Sequence, residues 1–204
     1  MNNFIGFSIV AGCTLLSGCM FTPTHESVSN YAIYDMKDTQ NRTPDDVADI
    51  YIDTLKTIMS DVRVTRNLPL SPLPEQPGRF RLVNPLGNSG LGALATANGA
   101  SLNIPLCEGA FVVVASDNKG MSRWGENTRF YNCLWQYKNG WHLDWYVSFD
   151  KQSGGVSADA MASALVQSVT GDSRKNMKTY RGNIIRKLNN KGLMTQLIES
   201  YPKE

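Results

Sequence analysis

The hydropathy pattern divides the chain into stretches of different character. Residues Phe4 to Leu16 form a predominantly apolar run of 13 residues. That falls short of the roughly 20 residues a bilayer-crossing helix needs and lies within the about 7 to 15 of a secretory leader. From Met20 to Arg42 the pattern dissolves into polar sequence without a sustained period, which predicts a flexible tether with a reach of roughly 25 Å. Periodicity returns at Thr43-Pro44-Asp45-Asp46. Thr43 can cap a helix, Pro44 suits its first position, and the two acids favour the positive end of its dipole. Val47, Ile50, Tyr51, Leu55, Ile58, Met59 and Val62 then recur at helical spacing, the one-sided stripe of a core-packed helix. The prolines at 69, 72, 74 and 77 end it and predict a stiff crossover beside the core.

Alternation takes over downstream. Arg79 to Val83 reads as a strand, Asn98-Gly99 as a hairpin turn between Leu94–Thr96 and Ser101–Asn103, and Ala110 to Ala115 as a strand covered on both faces. The clearest unit is a hairpin over 129–150. In its second arm Trp141, Leu143, Trp145, Val147 and Phe149 share one face, and His142, Asp144 and Tyr146 the other. A three-residue loop with a bulge at Gly140 sets Tyr137, Trp135, Cys133 and Tyr131 opposite that apolar face. Because burial fixes register, this is the expected pairing. It sends Cys133 inward and leaves His142 and Asp144 on a solvated face.

The C-terminal third reads as helical. Ser157 starts a helix with Met161, Ala164, Leu165 and Val169 inward, and Asp172 starts another with Met177, Tyr180, Ile184 and Leu188 inward. A short helix over Leu193–Tyr201 completes the chain. Seven basic side chains and no acid lie between Asp172 and Glu199. Arg174, Lys178 and Arg181 fall on one stripe, a candidate contact for an anionic surface or an acidic partner.

Composition adds limits. Hydrophobic residues make up 42% of the 204, and the net charge is only +2, which gives no electrostatic case for nucleic acid as a partner. Gly87-Asn88-Ser89-Gly90-Leu91-Gly92 lacks the Lys-Ser/Thr of a phosphate loop. No HExxH, CxxC or GxSxG occurs, so no metal, cofactor or catalytic residue is assigned.

One motif bears on location. Leu16-Ser17-Gly18-Cys19 closes the apolar run and resembles the lipobox of bacterial lipoproteins. Val10-Ala11-Gly12-Cys13 is a poorer match because it leaves an apolar core of only seven residues. The resemblance implies a cleaved signal peptide over 1–18 and a lipid carried by Cys19. It also implies anchorage to the outer membrane, since Met20 rather than Asp follows the cysteine. An oxidising periplasm would then leave Cys107 and Cys133 as an even pair, expected to form a disulfide.

The expectation is therefore a single α+β domain over 44–204, after a lipidated tether over 19–43. It comprises an N-terminal helix, an antiparallel sheet with the 129–150 hairpin, and C-terminal helices packed on that sheet. The corresponding function is a non-enzymatic accessory lipoprotein that binds an envelope protein. The rivals are an envelope enzyme acting on peptidoglycan or a glycan, using carboxylates such as Asp144 and Glu126, and a lipid or small-ligand carrier with a pocket between sheet and helices.

Overall fold

The computed structural model describes residues 24–87, 89–97, 103–118, 127–153 and 173–203. Its elements in chain order are β1 (Thr24–Asp38), α1 (Pro44–Lys56), β2 (Val62–Arg66), β3 (Arg81–Val83), α2 (Gly90–Ala97), β4 (Ile104–Leu106), β5 (Val112–Asn118), β6 (Asn127–Tyr137), β7 (Gly140–Ser153), α3 (Ser173–Asn190) and β8 (Leu193–Tyr201). Six strands form one antiparallel sheet in the order β2-β5-β6-β7-β1-β8, and β3 pairs with β4 separately. Mixed helix and antiparallel sheet is thus the architecture. The predicted signal peptide and Cys19, and the helix expected from Ser157, lie outside the described residues.

The helix predicted from Pro44 forms for the predicted reasons. Thr43 Oγ1 accepts from the Asp46 N–H at 3.2 Å, and Asp46 Oδ2 accepts from the Thr43 N–H at 3.3 Å, a reciprocal cap. It ends at Lys56 rather than running to Val62, because Asp61 adopts a left-handed turn (φ 49°) and Val62 begins β2. α1 is not the first element, however. Residues expected to be a tether form β1, which lies between β7 and β8 with Ala32, Ile33, Tyr34 and Met36 buried. A strand covered on both faces shows no alternation, so hydropathy could not reveal it.

The hairpin is present, with the other facing. Tyr137 pairs with Gly140 around a two-residue Lys138-Asn139 turn, which places Phe130, Asn132, Leu134 and Gln136 opposite Val147, Trp145, Leu143 and Trp141. Gly140 sits at φ 141°, and a Cβ there would meet the Met36 carbonyl at 2.9 Å, so the turn requires glycine. The argument for the bulged register assumed one buried face. Here both faces are buried, and the premise fails.

α1 and α3 cover the first face. Val47, Tyr51, Leu55, Met177, Ile184 and Leu188 pack against Leu134, Trp141, Leu143, Trp145 and Val147 in the main core. The Tyr180 hydroxyl donates to the Ile58 carbonyl and ties the two helices together. Two further expectations fail. Leu94–Thr96 belongs to helix α2 instead of a hairpin arm. Leu193–Tyr201 is strand β8 instead of a helix: its i, i+4 apolar spacing imitates one, but Gly192 (φ 84°) stops α3 and the chain turns to pair with β1.

Irregular residues 67–80 and the small β3–β4 sheet lie over the second face. This strap is pinned by the Asn67 N–H to Phe111 O (2.9 Å), the Lys138 N–H to Pro74 O (3.0 Å) and the Trp135 indole N–H to Glu108 O (3.0 Å).

Candidate functional site

The second face carries the chemistry. Asp35 and His142 are direct partners in the β1–β7 ladder, and Asp144 follows His142 by two residues on the same face. His142 Nδ1 is 2.9 Å from Asp35 Oδ1. Its Nε2 is 3.2 Å from Asp144 Oδ1, within ion-pair distance when the ring is protonated. Asp144 Oδ2 accepts the Phe80 N–H at 2.8 Å, with Arg79 Nε at 3.7 Å. Arg79 continues to Glu199 at 3.1 Å, and the Tyr31 hydroxyl donates to Glu199 at 2.6 Å.

Burial sets the electrostatics. The side chains of His142 and Asp144 are 5% and 1% exposed, whereas that of Asp35 is 39% exposed. Burial alone lowers the His142 pKa, but the carboxylates of Asp144 and Asp35 on either side outweigh it, and His142 lies above the ordinary 6.5. The Tyr137 phenol is raised by burial and by Asp35, to which it hydrogen-bonds. Glu199 is lowered by its hydrogen bonds from Tyr31 and Arg79.

The sequence reading put His142 and Asp144 on a solvated surface, and that is corrected here. They are buried because the strap covers the face they share with Trp135 and Tyr146. Phe80 is the inserted residue: its ring packs 5.7 Å from Tyr31 and 5.6 Å from Tyr146. Asp35 was missed altogether, since a polar residue in a presumed tether gives no signal until the strand pairing is known.

The arrangement limits what these groups can do. With Asp35 beside Nδ1 and Asp144 beside Nε2, both ring nitrogens of His142 face carboxylates. The carboxylates flank the ring without converging, and among the described residues no group of three His, Cys, Asp or Glu is arranged to hold a metal. Asp35 also lines an open groove of about 470 Å³ with Lys37, Tyr137, Asn139, Met194, Thr195 and Gln196, so the cluster reaches solvent through it.

The other predicted residues fall as follows. Cys107 and Cys133 lie at disulfide distance, with Cα atoms 6.1 Å apart, beside Trp135 and Phe80. Cys133 therefore faces the strap, on the same side as Asp144, and not the helices. The basic stripe does not survive as one exposed face. Lys178 is exposed, but Arg181 is 8% exposed, because it falls between Met177 and Ile184 on the buried stripe of α3. The Arg174 side chain and Glu126 lie outside the described residues. No helix among the described residues is long and apolar enough to cross a membrane. No protein family, curated protein or solved structure matches this chain.

Proposed function

We propose that this chain is a lipid-anchored envelope protein that acts by binding a protein partner through the outer edge of β8, with no catalytic step of its own. The observation that carries this reading is the contrast between the two edges of the sheet. β2, at one edge, is five residues long, and its Arg63 and Arg66 are paired with Asp117 (2.7 Å) and Asp49 (2.5 Å). Short, charged edges resist pairing with foreign strands.

β8 is nine residues long and guarded only at its start, where Asn189 Oδ1 accepts the Thr195 N–H at 2.9 Å. Beyond that point its charged residue is Glu199, tied to Arg79 of the strap, and Leu197, Ile198 and Tyr201 are 40%, 50% and 59% exposed. An apolar strand edge with free backbone groups favours an extended peptide, which gains main-chain hydrogen bonds and side-chain contacts together. The lipid anchor rests on Leu16-Ser17-Gly18-Cys19. The closeness of Cys107 and Cys133 is compatible with an oxidising envelope compartment.

A photo-crosslinking residue at position 198, compared with one at Val64 on the β2 edge, tests the reading in intact envelopes. The expected result is a discrete protein adduct from position 198 that disappears in Leu197→Lys. Equal adducts from the two edges overturn it. Cys19→Ser tests the anchor separately, by releasing the protein into the soluble fraction.

A further inference from the structure

Partner binding at β8 makes no use of the most heavily invested polar group in the molecule, a buried histidine between two carboxylates. We propose that Asp35, His142 and Asp144 form a pH-responsive latch for the strap, which stays closed on the second sheet face while His142 carries a proton and loosens around Phe80 once that proton is lost.

The geometry supplies the coupling. The strap meets the cluster at Phe80, whose N–H is bound by Asp144 Oδ2 at 2.8 Å, and at Arg79, whose Nε is 3.7 Å from the same oxygen. With His142 protonated, its charge sits between Asp35 and Asp144, while Arg79 is shared between Asp144 and Glu199. With His142 neutral, Asp144 is still 1% exposed, its Oδ1 loses the charge 3.2 Å away, and among the described residues the shared Arg79 is the cation that remains beside it. Burying a carboxylate under those conditions is costly, and admitting water is the cheapest remedy. Arg79 is 46% exposed, so it can swing aside and let water in.

The groups on the surrounding elements reinforce this direction. From β6, Tyr137 donates to Asp35 as a neutral phenol. From β8, Glu199 competes with Asp144 for Arg79, and Tyr31 of β1 holds Glu199 in place. From α1, across the sheet, Tyr51 is a buried phenol whose pKa is raised by burial and by Asp144, so it adds no cation. Among the described residues, His142 is thus the group near Asp144 that can change charge around neutral pH. Its pKa is lowered by burial but raised overall by the two carboxylates, which is the sign required for a latch that binds its proton in the closed state.

Opening is local. The close approach of Cys107 to Cys133 and the Trp135–Glu108 and Lys138–Pro74 bonds pin the cover on either side of Arg79–Phe80. What it uncovers is the ring surface of Tyr31 and Tyr146, against which Phe80 packs. The device operates in the isolated chain and does not depend on any partner.

Amide hydrogen exchange read by NMR on the intact domain tests it directly. The Phe80 amide reports the latch, and the Phe111 amide, bonded to Leu134 O at 2.8 Å, is the control. Between pH 5.5 and 8.5 the Phe80 protection factor is expected to fall severalfold while that of Phe111 stays constant. In His142→Gln the Phe80 profile should be flat. A Phe80 protection factor independent of pH, or the same fall in His142→Gln, overturns the proposal. Should His142→Gln fail to fold, the wild type decides: the ring-proton titration midpoint of His142 and the midpoint of Phe80 deprotection must coincide, and separate midpoints overturn the latch.

Discussion

Asp35 and His142 stand opposite each other on adjacent strands, with Oδ1 and Nδ1 2.9 Å apart beneath a cover that contributes Phe80 and Arg79. The pair joins a strand hidden in polar sequence to a histidine whose alternation pointed outward. Removing it has a structural cost that a solvated histidine would not carry. His142→Ala removes the charge 3.2 Å from the buried Asp144 Oδ1. Deleting one member of a buried ion pair costs about 3–5 kcal/mol. Urea unfolding should show a loss of that order, against under about 0.5 kcal/mol for an exposed control such as Lys203→Ala.

The same pair gives stability a definite pH dependence. The pKa of His142 is raised on folding, so its stabilising contribution is complete below the unfolded value of about 6.5 and fades as pH rises through the folded value. The difference in melting temperature between wild type and His142→Gln should be largest near pH 6 and shrink by pH 8.5. A difference that grows with pH would contradict the assignment of signs.

Cys107 and Cys133 make a separate prediction. Intact mass without reductant should be two hydrogen atoms lighter than after reduction. The bond closes a separation of 26 residues, for which chain entropy predicts about 3–4 kcal/mol. Cys107→Ser combined with Cys133→Ser should lower stability by up to that amount, and free thiols in oxidised protein would exclude the bond.

Tyr51 is buried on α1, and its hydroxyl has no hydrogen-bond partner among the described residues. Tyr51→Phe keeps the ring and removes the unsatisfied group, so it should be neutral or stabilising by about 1 kcal/mol. Leu55→Ala, one turn further along α1 in the same core, should instead cost about 2–5 kcal/mol. Denaturation midpoints at matched slope separate the two outcomes.

The parts of the fold legible in the sequence were those with a local cause. Thr43, Pro44 and Asp46 write the start of α1 into consecutive residues, and Met177, Ile184 and Leu188 write the buried stripe of α3. The rest depends on partners distant in sequence. β1 is invisible because Ala32, Ile33 and Tyr34 are buried in succession, which erases alternation. β8 imitates a helix because Leu193 and Leu197 are four apart, and only Gly192 and the exposed edge of β1 decide otherwise. The register of 127–153 turned on whether the second face is covered, and the strap that covers it carries no periodic signal. The candidate cluster inherits all three difficulties, since it needs β1, the register and the strap at once.

β1 also changes how the domain would meet a membrane. A lipid on Cys19, as proposed, would lie five residues before Thr24, a contour of at most about 18 Å. With so little slack the domain would ride against the headgroups instead of hanging from a long leash. The end of the sheet where Thr24 pairs with Ser153 would be the end held down. A strand advances roughly 3.3 Å per residue, so Asp35 and its groove would stand roughly 36 Å farther out. The anchor would then set an orientation as well as an address, with the Lys138-Asn139 turn, the groove and the start of β8 facing into the space beyond the bilayer.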